Sequence, residues 1–177
     1  MTEEINIANV ENFITIEDTE ISDISKIIQQ MLAIKSVDNS PAKKKTKPYS
    51  IDDKITLNGI SSNLAMLIEK YHVESYHIVE EAIACLSAYE PCIGRDLYDY
   101  YFEKYIEVLD DKEIGYTDMA KIKTNSDDIY KSIITKIKEQ IYMYKKSEIP
   151  INKQQTYISA ITAYVFYKCK FLIPIEK

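Results

Sequence analysis

The chain has no tryptophan, three glycines, and a single arginine, Arg95, in 177 residues. Each shortage excludes something. The closest two glycines are Gly94 and Gly115, so no glycine-rich loop can wrap a phosphate in backbone amides. Sheet folds built from short strands want turn residues roughly every eight to twelve positions. Three glycines and five prolines cannot supply them. Arginine reads guanine edges and clamps phosphates with a two-pronged geometry that lysine lacks, and here lysine outnumbers it 21 to 1.

Cysteine is also scarce. Cys85, Cys92 and Cys169 are odd in number and do not follow a zinc spacing. They read as reduced thiols packed like small apolar side chains. Met1 is followed by Thr2, Glu3 and Glu4 rather than by a basic stretch and an apolar run, so no secretory leader is expected. The longest uncharged run, Gln154 to Tyr167, ends at Lys168. It falls short of the roughly 17–25 residues that a membrane span needs. These features predict an intracellular protein without membrane contact, in a host cytoplasm and also in a virion.

Isoleucine (30 residues), lysine (21) and tyrosine (15) are abundant. That skew follows AT-rich codons, as in some bacteria, their phages and large DNA viruses. With 46% hydrophobic residues, 28% charged and a net charge of −6, the chain has the make-up of a globular domain.

Composition divides the chain into residues 1–48 and 49–177. Residues 1–25 hold seven acids and no base, yet include Ile5, Ile7, Val10, Phe13, Ile14 and Ile16. Ile24, Ile27, Ile28, Met31 and Leu32 follow at helical spacing, with Ser22 or Asp23 as the N-cap. From Ser36 to Pro48 the chain turns polar, with Lys43, Lys44, Lys45 and Lys47 between two prolines. The first part therefore reads as an acidic arm, a short amphipathic helix and a Lys/Pro linker. So short a stripe cannot bury itself, and it must dock on its own body or on another chain.

The second part reads as helices. Leu64, Leu67, Ile68 and Tyr71 form one stripe after Ser61 or Ser62, with a break expected near His72 and Val73. Ile78, Val79, Ala82, Ile83 and Leu86 form the next, ending before Pro91. A third helix begins near Gly94 and Asp96, and residues 116–122 are ambiguous. A fourth runs from Ser126 to Lys146, with Asp127 and Asp128 opposing the helix dipole at one end and lysines at the other. The last, from near Asn152 and ending before Pro174, is apolar on nearly every side between Tyr157 and Tyr167, which marks a central buried helix or an oligomer contact. The fold class is all-α: a compact bundle of five or six helices with an extended, partly helical N-terminal arm.

Candidate chemistry is sparse. Glu69 with His72 and Glu74 with His77 form two Glu-x-x-His pairs, the ligand spacing of di-iron bundles. Those sites place the pairs on facing helices, whereas these lie five residues apart, so no metal and no cofactor is expected. Cys85 and His77 sit two helical turns apart, about 12 Å, too far for a nucleophile and its base. Glu103 with Glu107, and Asp110 with Asp111, read as a solvated face rather than an acid–base pair. No catalytic residue is assigned, and no enzymatic function is expected.

Charge is unevenly spread. Residues 1–120 carry −12 and residues 121–177 carry +6. The basic portion could meet nucleic acid by charge alone, without reading sequence, but this is not the favoured reading. Opposed charges can also orient subunits in an assembly. Tyrosine suits interfaces, because its ring is buried while its hydroxyl stays satisfied at a wet boundary. The expected partner-binding residues are Ile24, Ile27, Ile28, Met31, Leu32, Tyr98, Tyr101 and Tyr105. The resulting expectation is a structural or interaction protein, a homo-oligomer or a subunit of a multi-protein assembly such as a phage or viral head–tail connector or ring. A small regulatory protein that blocks one target is the second expectation.

Overall fold

A computed structural model describes residues 22–37, 51–143, 149–168 and 171–174. Among them are seven helices and no strand: α1 (Asp23–Val37), α2 (Ile51–Asn58), α3 (Ser62–Ser87), α4 (Ile93–Asp111), α5 (Met119–Thr124), α6 (Ser126–Met143) and α7 (Ile151–Lys168). The molecule is an all-α bundle. The acidic segment before Ser22, the lysine-rich segment after Val37, and Lys145 and Lys146 lie outside the described residues.

Helix α7 is central. Tyr157, Ile158, Ala160, Ile161, Ala163, Tyr164, Val165 and Phe166 are all buried, and its interface with α3 is the most extensive between any two helices. Polar groups within it find partners: Thr162 Oγ1 lies 2.7 Å from the Ile158 carbonyl and 2.9 Å from the Tyr101 hydroxyl. Helix α6 follows its isoleucines, with Ile129, Ile133, Ile137 and Ile141 spaced four apart on its buried side.

Helix α1 belongs to the same core. Ile27 and Met31 are 0% exposed, and Ile24 and Ile28 are buried with them against the chain's own helices. Lys26 ties α1 to the α3–α4 connection through both carboxylate oxygens of Glu90, at 3.0 and 2.8 Å.

Two differences from the sequence reading concern α2 and α3. Helix α3 runs unbroken for 26 residues through His72 and Val73. Neither residue removes a backbone donor as proline would, and His72, Ser75 and Tyr76 carry the buried stripe onward. Leu67, expected in that stripe, faces outward. Helix α2 was not anticipated. Its buried side is Ile51, Lys54, Ile55 and Asn58, a helical spacing in which two of the four residues are polar.

Helix ends are built locally. Gly59 (φ 64°) ends α2, with its N–H on the Thr56 carbonyl and the Ile60 N–H on the Ile55 carbonyl. This is a Schellman closure, in which a left-handed residue lets the last carbonyls be satisfied. Asp118 caps α5 by accepting the Lys121 N–H at 3.1 Å. Ser61 at the head of α3 makes no side-chain bond to its own helix. Its N–H and hydroxyl instead donate to the two oxygens of Asp127, at 3.0 and 2.5 Å, fastening the α2–α3 turn to the first turn of α6.

Candidate interaction surfaces

The side chains expected to meet a partner are mostly covered by the chain itself. Ile24, Ile27, Ile28 and Met31 pack under α1, and Tyr101 and Tyr105 are 0% and 1% exposed in the core. The physical reason is common to all six: a side chain already enclosed by its own helices leaves no apolar area for a second molecule to cover. Leu32 and Tyr98 are half-buried at the margin, where the Tyr98 hydroxyl lies 3.4 Å from that of Tyr164.

Several tyrosines lie in the core. Burial pushes the phenols of Tyr101, Tyr130 and Tyr164 far above their ordinary value, and it lifts Tyr105 to about 12 with help from nearby Tyr116. Phe171 stacks among Tyr101, Tyr105, Tyr130 and Phe166 at centroid distances of 5.5–6.3 Å, closing one end of the core.

A second aromatic group lies between α3 and α7. The Lys168 ammonium stands 5.3 Å from the Tyr76 ring centroid and 5.8 Å from that of Tyr164, and it donates to Glu80 at 3.1 Å. The Tyr76 hydroxyl donates to the same Glu80 oxygen at 3.1 Å. Burial lowers the Lys168 pKa, but the Tyr76 hydroxyl and the Glu80 carboxylate outweigh it and hold the ammonium at about 12. His72 is fully buried behind this group, 4.8 Å from Tyr167 and 5.1 Å from Tyr76 by ring centroids. Sequence reasoning missed this group because its residues come from two helices far apart in the sequence.

The residues weighed for chemistry do not converge. His72 is in the core while His77 is exposed on the same helix, and no group of three metal-capable side chains occurs among the described residues. Cys85 and Cys92 are exposed thiols, and Arg95 donates to the Cys92 sulfur at 3.0 Å. Glu107 is engaged by Lys104 at 2.5 Å, and Asp111 by Lys136 at 2.8 Å. A cavity of about 100 Å³ lies between the first turn of α1, Asp96, Leu97 and Tyr100 of α4, and Gln140 and Ile141 of α6. No described helix is long and apolar enough to cross a membrane.

The surface also displays apolar side chains, Tyr89 at 88% and Ile151 at 62% exposure among them. Met66 is 71% exposed, Leu67 51% and Leu57 39%. Met66 and Leu67 are adjacent on the outer side of α3, and Leu57 lies across the short α2–α3 turn. Such residues cost solvation where they stand and stabilise a complex when covered. No protein-family model, no curated protein and no solved structure matches the chain.

Proposed function

We propose that the chain is a non-enzymatic structural or interaction protein that works as a subunit of a multi-protein assembly. The observation that carries this reading is the outward pair Met66 and Leu67 on α3, with Leu57 exposed on the neighbouring α2. The charge split between residues 1–120 and 121–177 supports it, because opposed charge gives neighbouring subunits an orientation. The AT-skewed composition makes a phage or viral particle, and a head–tail connector or ring component within it, the assembly we favour. Sedimentation of the full chain at tens of micromolar, together with pull-downs, tests the reading. A discrete oligomer or a stoichiometric multi-copy complex supports it. A monomer without a partner overturns it, and a one-to-one complex with a single unrelated protein would make the chain an inhibitor of that protein.

A further inference from the structure

Helix α3 leaves one side unpartnered at its N-terminal end. Asn63, Met66, Leu67 and Lys70 are all exposed and follow one another at i, i+3, i+4 and i+7, so they form a single outward stripe. Leu57 lies across the turn, and the side chain of Lys123 rests against Gly59, with its Cε 3.3 Å from where a Cβ would stand. Among the described residues neither Lys70 nor Lys123 makes an ion pair. The stripe thus has an apolar centre and ends on Lys70, with Lys123 at the neighbouring α2–α3 turn, and its complement is an apolar segment bearing acids and no base.

The chain itself contains that complement. Residues 1–21 carry six acids and no base. Within them, Val10, Phe13, Ile14 and Glu17 repeat the i, i+3, i+4, i+7 spacing of the stripe and end on an acid where the stripe ends on a lysine. We propose that this stripe is the receptor for residues 10–17 of a second copy of this chain, with Glu17 meeting Lys70. The inference rests on the assembly reading above and names its contact.

The side of α3 on which the stripe lies, opposite its buried residues Leu64, Ile68, His72 and Ser75, directs the contact to another copy. Helix α1 is held at the far end of α3 by the Lys26–Glu90 bond, and Glu90 lies beyond the helix end at Ser87. The stripe also faces away from the side of α3 on which α1 packs, since α1 contributes to the core and Met66 does not.

Charge reversal in the full chain tests the pairing. Wild type should self-associate at tens of micromolar, and Glu17→Lys and Lys70→Glu alone should each weaken association about tenfold or more by setting like charges together. Mixing the two variants should restore it, because each arm then meets a receptor of opposite sign. Leu67→Asp should abolish association while the helical circular dichroism of the chain is kept, since the residue is exposed. Self-association unaffected by any of these changes overturns the pairing and leaves the assembly reading standing. A wild type that stays monomeric overturns the pairing, and with no partner in pull-downs it overturns the assembly reading as well.

Discussion

Asn58 and Ile173, 115 residues apart, are joined through both backbone polar groups of Ile173: the side-chain oxygen accepts the Ile173 N–H at 2.7 Å, and the side-chain nitrogen donates to the Ile173 carbonyl at 3.0 Å. The second amide proton goes to the Lys54 carbonyl at 2.9 Å, so every polar atom of this fully buried side chain is used. One turn earlier, the Lys54 ammonium donates to the Phe166 carbonyl and lies 4.6 Å from that ring's centroid. Helix α2 thus clamps the end of the chain onto the core with two polar side chains.

Asn58→Leu should therefore destabilise the fold well beyond its change in volume. Either two peptide groups of Ile173 stay buried without partners, at roughly 1–3 kcal/mol each, or the tail detaches and exposes Phe171 and Leu172, which are 0% and 2% exposed. The expected loss is about 2–4 kcal/mol by urea denaturation. A variant as stable as wild type would show that the clamp contributes nothing net.

Cis packing of α1 makes a second prediction. Ile27→Ala should cost about 2–5 kcal/mol, the range for a fully buried isoleucine, and should lower the melting temperature of the whole chain. Leu67→Ala, at a site 51% exposed, should change stability by less than about 0.5 kcal/mol. Equal, small effects at the two positions would mean that α1 is not part of the core.

How much of this was legible depended on where the buried stripe was apolar. Helix α7 announced itself, because Tyr157 to Phe166 is apolar on nearly every side, and α6 did so through four evenly spaced isoleucines. Helix α2 did not. Its inner face is Ile51, Lys54, Ile55 and Asn58, correctly spaced for a helix but half polar, and hydrophobic periodicity cannot register a buried lysine or asparagine whose partners come from the other end of the chain. The same blindness placed a break in α3 at His72, a residue the core accepts among aromatic rings. Of the candidate site, the sequence named apolar residues without saying which side of each helix they faced. Ile27 and Leu67 look alike in a linear string, and only the packing of α1 and α7 on α3 separates them.

Helix α4 ends on a conformation ill suited to its residue. Glu113 has φ 54°, its N–H bonds the Asp110 carbonyl, and the Ile114 N–H bonds the Leu109 carbonyl at 2.9 Å, so Glu113 occupies the left-handed position that Gly59 fills at the end of α2. A side chain there costs roughly 1–2 kcal/mol, partly offset by the extra unfolded-state freedom of glycine, roughly 0.5–1 kcal/mol. Glu113→Gly should raise stability by up to about 1 kcal/mol in denaturant titration. A loss would place the strain elsewhere.

The buried phenols and Lys168 together set the alkaline limit of the fold. Tyr105 is lifted to about 12 by burial, with Tyr101, Tyr130 and Tyr164 also raised by burial, whereas in the unfolded chain each ionises near the ordinary value of 10. The native state keeps these protons longer than the unfolded state, so their contribution is intact below pH 10 and falls as pH rises past it. Each such group adds up to about 1.4 kcal/mol per pH unit. Lys168 acts in the same direction: its pKa of about 12, against 10.5 when unfolded, gives stability that is complete below 10.5 and lost through 12. The expectation is a fold indifferent to pH between 8 and 9.5 that unfolds cooperatively above about pH 10.5, as several phenols are released together. Absorbance at 295 nm should show exposed tyrosines titrating gradually, followed by a steep second step coincident with the loss of helical circular dichroism. A single shallow titration of all the phenols, with helicity unchanged, would contradict the burial of Tyr101, Tyr105, Tyr130 and Tyr164.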